Sequence, residues 1–438
     1  MIKYILLICF IQLAFLNLNA QTNSPYTRFG VGELMPNSFA NVSSAGGLSA
    51  SFNSPYQLNF SNPASYGFLN KTTFNFAITA TSLHIAKGDS AETFGNGQLS
   101  YLAYGLPLVK NKLGLSFGLM PYSQVNYNLL QLNDSTVGLG PNYNSYQGSG
   151  ALYRFYLGTG VHIKNFAAGI NAQYLFGNIS YTDLQVFTGD SINAFNTRRL
   201  ETKSIGDLII DVGMQVNIPI SKQTDNTFKY NLTFGITGGN KSNVNVSDRL
   251  LYDRFVYRSV TVNYTVPIYK DTIMLDTLSG VMTLPMHFDA GIRLVQEGRF
   301  FAGVNYSYSK WSEYNWLGET EPSAVDYHKL SFGGEYIPKN EDDDNYFRMI
   351  RYRAGFYTGQ YYQQFNGVSL KETGLTLGAG FPFLYRTSYN TKVLSEISLS
   401  LDFGVRGTTD NNLIKESYFK GTVGFSLTDL WFVKRKFD

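Results

Sequence analysis

The side chains that could do chemistry in this chain are few and poorly spaced for it. Four histidines stand at positions 84, 162, 287 and 328, and the single cysteine is Cys9. A hydrolase needs a nucleophile within reach of a base that a third group orients, and no histidine has such partners at a local spacing. No set of His, Cys and carboxylates has metal-ligand spacing either, so the sequence predicts no metal, no cofactor and no enzyme. The acidic run 340–345 has the charge of a calcium loop. It lacks the required Gly and distal Glu, and reads as a solvated turn.

Three other groupings stand out. Asn62-Pro63-Ala64 lies in a Gly-, Ser- and Asn-rich stretch, 45–70, that also holds Gly46 and Gly47. Gly118-Leu119-Met120-Pro121 joins a residue that weakens a strand ladder to one that cannot donate to it. The third is a scattered set of charges: Asp207, Asp211, Asp289, Arg293, Glu335, Arg351, Arg353, Glu396 and Asp402. What these do depends on the elements that carry them.

The first twenty residues have one charge, Lys3, then an apolar run from Tyr4 to Leu16 and a small residue at Ala20. That is the layout of a signal peptide, residues 1–20, and the run is too short to span a bilayer. Cys9 falls inside it, so the mature chain offers neither disulfide nor thiolate. Without Lys3 the chain carries 34 basic and 32 acidic residues, a net charge of +2. Such balance argues against a nucleic-acid partner.

From Thr72 onward the period is two. Leu208, Ile210, Val212, Met214, Val216 and Ile218 share one face of a segment whose other face carries Asp207, Ile209, Asp211, Gly213, Gln215 and Asn217. Val393 to Val405 and Phe419 to Leu427 repeat the design. Soluble strands average about 5–6 residues, whereas a tilted membrane strand needs about 9–11. Most segments here have eleven or more, and their polar face is too polar, and too often Gly, for a packed core. The reading is all-β: a fourteen-stranded antiparallel transmembrane barrel over 71–438. Its segments lie near 72–85, 98–108, 112–125, 148–163, 166–181, 203–219, 228–238, 281–295, 299–312, 326–337, 348–358, 369–382, 393–406 and 417–428. Gaps after the second, fourth and eighth are very short, and those after the third, fifth and seventh are long. An even count with that asymmetry places both chain ends and the short turns in the periplasm. Residues 255–266 are assigned to a hairpin within the longest loop. A wall of fourteen strands would enclose a channel unless something filled it. Residues 21–70 are the available filling.

At this point the chain resembles the FadL-type long-chain fatty-acid transporters of Gram-negative outer membranes. The likeness rests on Asn62-Pro63-Ala64 ahead of the strands, on Leu284-Pro285…Gly291…Phe301…Asn305-Tyr306…Trp311-Ser312, and on Arg351-Tyr352-Arg353-Ala354-Gly355 followed by Gly374…Gly378-Ala379-Gly380. The end, Leu430 to Asp438, departs from a barrel that finishes on its last aromatic residue. The resemblance implies an N-terminal hatch in the lumen, with Gly46, Gly47, Asn62, Pro63 and Ala64 in it. It also implies passive uptake of hydrophobic small molecules such as long-chain fatty acids, with a lateral exit at a kinked third strand. Gly118 and Pro121 are the candidates for that portal.

The remaining expectations concern charges and partners. Glu335, Arg351, Arg353, Asp207, Asp211, Glu396 and Asp402 are read as a lumen network, with Arg351 and Arg353 pairing Glu335 across a hairpin. Outer-membrane lipid is the expected surround and a hydrophobic small molecule the expected ligand. A rival reading makes the same barrel a non-transporting subunit or plug of a larger outer-membrane complex, such as the type IX secretion translocon, with protein partners docked on the 250–280 loop or the basic tail Lys434–Lys436. A transporter should contain a continuous apolar tunnel, and a subunit should be packed solid.

Overall fold

Alternation of apolar and polar side chains can satisfy lipid on one side and a filled lumen on the other only if the sheet closes on itself. The computed structural model describes residues 24–136, 140–188, 195–220, 230–261, 264–339, 345–386 and 392–430. The expected signal segment with Cys9, the acidic residues 340–344 and the tail 431–438 lie outside them. A two-residue strand β1 (Glu33–Leu34) comes first, then β2 (Thr72–Lys87), β3 (Ser90–Val109), β4 (Leu113–Thr136), β5 (Gly140–Ile163), β6 (Phe166–Phe187), β7 (Asn196–Pro219) and β8 (Tyr230–Gly239). A hairpin follows, β9 (Ser242–Thr261) and β10 (Tyr264–Leu284), and after it β11 (His287–Gln296) and β12 (Phe300–Ser309). The short β13 (Asn315–Trp316) and β14 (Glu319–Thr320) precede β15 (Tyr327–Tyr336), β16 (Arg351–Phe365), β17 (Val368–Arg386), β18 (Lys392–Gly407) and β19 (Lys415–Asp429).

Fourteen strands make the wall: β2 to β8, β11, β12 and β15 to β19. It closes where β19 pairs antiparallel with β2, from Lys415↔Ala86 to Asp429↔Thr72. On β7, Leu208, Ile210, Val212 and Met214 are 50–62% exposed, whereas inward Ile209 and Gln215 are 8% and 1% exposed. The outward belt is therefore the lipid face, and Tyr153, Tyr174 and Phe176 stack along its outer rim.

Several boundaries differ from the sequence reading. The long outer loops expected after the third and fifth strands are largely strand, because β4 to β7 continue well above the lipid belt. The eighth wall strand starts at His287 rather than 281, since 264–284 returns from the hairpin as β10. Trp311 and Ser312 lie in a 3-10 turn beyond β12, not at a strand end. The expected hairpin in the long loop is present, and far longer than 255–266. Its β9 pairs with the upper part of β7, Ile205↔Val246 to Asn196↔Phe255, while β8 pairs with the lower part.

Residues 24–70 run down inside the wall. Three apolar clusters mark the descent. At the outer end Tyr26 and Val31 pack with Tyr127, Leu152, Ile205, Val246, Trp311, Tyr314 and Tyr362. Below, Phe39, Leu58, Phe60 and Tyr66 meet Tyr101, Met120 and Tyr156, and Val42, Leu48 and Phe52 meet Phe301. Burial of each large apolar side chain contributes about 1.5–3 kcal/mol.

Candidate functional site: the filled lumen

A backbone without sheet partners at membrane depth must find them in the surrounding wall. Here the inward polar residues supply them one by one. Gln215 donates to the carbonyls of Ala50 and Phe52 at 3.0 and 3.1 Å, and Asn305 accepts from the Ala50 N–H at 3.1 Å. Asn171 donates to the Phe60 carbonyl and accepts from the Tyr66 hydroxyl. Thr237 donates to the Ser61 carbonyl.

Asn62 is the most connected of these. Its side-chain amide reaches the carbonyls of Ala50, Met214 and Ile236, and its oxygen accepts from the Ala64 N–H at 3.1 Å, capping the turn Pro63–Phe68. Asn62 and Ala64 are fully buried. Pro63 suits the first position of that turn because it has no N–H to leave orphaned. Gly46 and Gly47 both have φ +77°, which favours Gly. They reverse the chain after the short helix Ala40–Ser43, and the Gly46 N–H donates to Thr376 Oγ1 at 3.0 Å.

The wall glycines that looked excessive for a core now have a reason. A Cβ on Gly169 or Gly160 would overlap Pro63, and one on Gly213 would overlap the Asn62 side chain. Gly235 faces the Ala50 carbonyl and Gly355 faces Gly46 in the same way. The wall is hollowed where the segment's backbone lies against it.

The predicted charges divide into separate groups. Arg353 bridges Glu335 and Glu396, both at 2.7 Å, and Arg351 reaches Glu396 at 3.1 Å and Glu335 at 3.5 Å. Arg351 also donates to the Tyr56 hydroxyl, and Gln57 donates to Glu396 at 2.8 Å, so this four-charge network grips the inner segment. Asp402 sits apart, accepting from Tyr357. Asp211 pairs with His287 at 3.2 Å and accepts from Gln173. Asp207 belongs to none of these: it bonds Asn245 where β7 leaves β8 for β9. Sequence reasoning missed a second cluster, Arg406 with Glu416 at 2.7 Å and with Glu33 at 3.6 Å, joined by Lys420 at 3.2 Å from Glu33. The inward parity of Arg406 and Lys420 was its available signal.

Gly118 and Pro121 mark a real break in the wall. The β3–β4 ladder stops at Leu102↔Leu119, and β4 is bulged against β5 between Pro121 and Ser123. Pro121 is not at a strand end, since β4 continues to Thr136. Above the break β1 takes the free edge of β4, Glu33↔Gln124 and Leu34↔Ser123, and Gln98 of β3 contacts the Met35 sulfur at 3.3 Å. A cavity of about 90 Å³ behind this slit is lined by Thr79, Thr81, Asn96, Gln98, Ser100 and Thr422. Two larger cavities lie above and below the filling. The upper, about 260 Å³, is faced by Arg154, Asp211, His287, Lys329, Glu372 and Arg406. The lower, about 650 Å³, is faced by Asn53, Tyr56, Lys164, Asn217, Arg293 and Arg351. Between them Leu48, Ala50, Leu58, Phe60, Asn62 and Tyr66 are 0–2% exposed. Among the described residues no three His, Cys, Asp or Glu side chains form a metal-holding group.

A closed antiparallel wall with a lipid-facing apolar belt and a filled lumen is an outer-membrane β-barrel with a plugged interior. The BamG family model matches residues 1–438, and the chain belongs to that family. No curated protein matches the sequence. Among solved structures it is similar to the CymD monoaromatic hydrocarbon channel, 14% identical with TM-score 0.54, over 92% of this chain and 99% of that one. It is also similar to the Pseudomonas putida toluene transporter TodX, 15% identical with TM-score 0.56, over 90% and 99%. A Pseudomonas aeruginosa FadL homologue matches at 12% identity and TM-score 0.52, over 93% and 99%. At such identities the likeness is one of fold.

Proposed function

We propose that this protein is a permanently plugged barrel that serves as a subunit of a larger outer-membrane assembly. The observation that carries the reading is the packing between the two large cavities. The N-terminal segment meets the wall through buried amide-to-carbonyl bonds, glycine-hollowed contacts and a four-charge network, and fold alone does not assign a barrel to transport. A hydrophobic solute needs a continuous, mostly apolar path. The slit cavity offers apolar surface at Met35, Pro36, Tyr101 and Pro121. The upper and lower cavities have mixed polar and apolar linings, and the buried plug residues stand between them. In this reading the segment is a plug that seals the wall, and the surfaces outside the membrane do the work. Gentle purification from native outer membranes tests it. The expected result is stoichiometric protein partners; a lone barrel carrying a bound apolar molecule overturns the reading.

A second reading is uptake of hydrophobic compounds, long-chain fatty acids among them. The β3–β4 slit at Gly118–Pro121 favours it, together with the likeness to barrels named for toluene and monoaromatic hydrocarbons. It requires the plug to move and β1 to leave β4. Normal uptake of fatty acids and toluene by a deletion strain would remove it.

A further inference from the structure

The outer-face sheet runs β4, β5, β6, β7, β9, β10, and its last strand is bare. From Tyr269 to Val281, thirteen consecutive residues of β10 are exposed, on both faces. They include Ile273, Met274, Leu275 and Leu278, at 43–57% exposure. The strand pairs with β9 on one side. On the other it meets β13 at Met282 and Thr283, and the Val281 carbonyl accepts from the Leu317 N–H at 3.0 Å, so the edge is bare from Tyr269 to Gly280. The unpaired backbone therefore extends about 40 Å at 3.2–3.4 Å per residue. An exposed edge with apolar side chains templates pairing with another strand; this one is bulged at Lys270 and Ile273 and runs regularly from Met274 to Gly280.

We propose that β10 is the docking edge for an extended segment of a different polypeptide on the outer face, added as one more strand. This names the mode of attachment in the assembly proposed above and rests on that reading. The internal segments of this chain left undescribed between outer strand ends, 137–139, 189–194 and 262–263, are too short to lie along it. Of residues 1–23, which lead into Ser24 at the outer end, all but three belong to the expected leader. A second copy does not fit either. Antiparallel self-pairing requires a two-fold axis perpendicular to the sheet. Because β9 pairs with the upward continuation of wall strand β7, the sheet stands upright, and that axis would turn the second barrel upside down in the membrane. Parallel self-pairing would set the same residue of each copy on opposite faces at one height, which a parallel ladder does not allow.

The chemistry of the partner strand follows from the edge. Apolar side chains cover Ile273, Leu275 and Leu278. Asp271 already pairs with Arg254 at 3.8 Å, which leaves Lys270, at a bulge, and Asp276 to be met by an acidic and a basic residue. Opposite-charge and apolar cross-strand pairs of this kind stabilise a ladder.

The test uses the full chain in native membranes, whose only native thiol is Cys9 of the leader. Single variants Thr272→Cys, Met274→Cys and Asp276→Cys carry a thiol-linked photocrosslinker. The expected result is attachment to one peptide of one partner, the crosslinked position advancing in step along that peptide, as it does only for a paired strand. Separately, Leu275→Lys with Leu278→Lys should lower the partner retained on purification at least tenfold while heat-dependent gel mobility stays that of a folded barrel. An adduct with a second copy, scattered crosslinks or none, or undiminished retention in the lysine variant overturns the proposal. If partners still co-purify in those outcomes, the subunit reading stands and only the docking edge is lost.

Discussion

The lower and upper halves of this barrel solve opposite problems. In the lower half most buried polar groups of the plug are matched by the wall or within the plug, the Ser51 hydroxyl and the Asn59 side-chain oxygen being exceptions. Arg351, Arg353, Glu335 and Glu396 are 1–8% exposed as side chains. In the upper half an apolar cluster around Trp311 and Tyr362 closes the lumen, yet the sheet above it ends in the bare edge of β10. The closed half gains rigidity. The open half keeps unspent hydrogen-bonding capacity, as expected where a molecule is completed by another.

Breaking the lower half should have the largest effects. Arg353→Leu leaves Arg351 as the single cation for the two buried carboxylates Glu335 and Glu396, and removing one member of a buried pair costs about 3–5 kcal/mol. The loss should appear as a lower unfolding midpoint in urea. Gly213→Val forces a side chain into the space of Asn62. Overpacking of this kind costs about 1–3 kcal/mol, and limited proteolysis should cut residues 24–70 while the wall stays resistant. Asn62→Ala removes the cap and the donor to three carbonyls, at about 1–3 kcal/mol, with the same proteolytic signature in milder form. The Glu33→Gln variant weakens only the partly exposed link to Lys420 and Arg406, an effect of about 0–1 kcal/mol; a loss as large as that of Arg353→Leu would show that the seal at β4 matters more than the inner network.

Most of the wall was legible in the sequence because lipid imposes alternation. The segment 203–219, with Leu208 to Ile218 on one face, needed nothing else. The upward continuations were not legible. Residues 126–136 and 178–187 have no lipid face, so nothing enforces the period, and polar strand looks like loop. Parity placed Arg351, Arg353 and Glu396 on the inward face, where they meet in one network with Glu335. Parity has no height, so it also put Asp207 into a network that lies well below it. The glycines at 160, 169, 213 and 235 were visible as an excess on the inner face. Their meaning required the plug against which they are hollowed.

Locking the plug tests the central claim most directly. The Ala50 Cβ lies 3.3 Å from where a Cβ on Gly291 would stand, with the Asn305 amide oxygen 2.8 Å away having to turn aside. The separation is at the short edge of disulfide range, so Ala50→Cys with Gly291→Cys can be joined by oxidation in a chain whose one native cysteine is Cys9. The account predicts that the oxidised and reduced forms retain partners equally and support growth equally in a deletion strain. Loss of either in the oxidised form, restored by reduction, would contradict it and show that the plug must move.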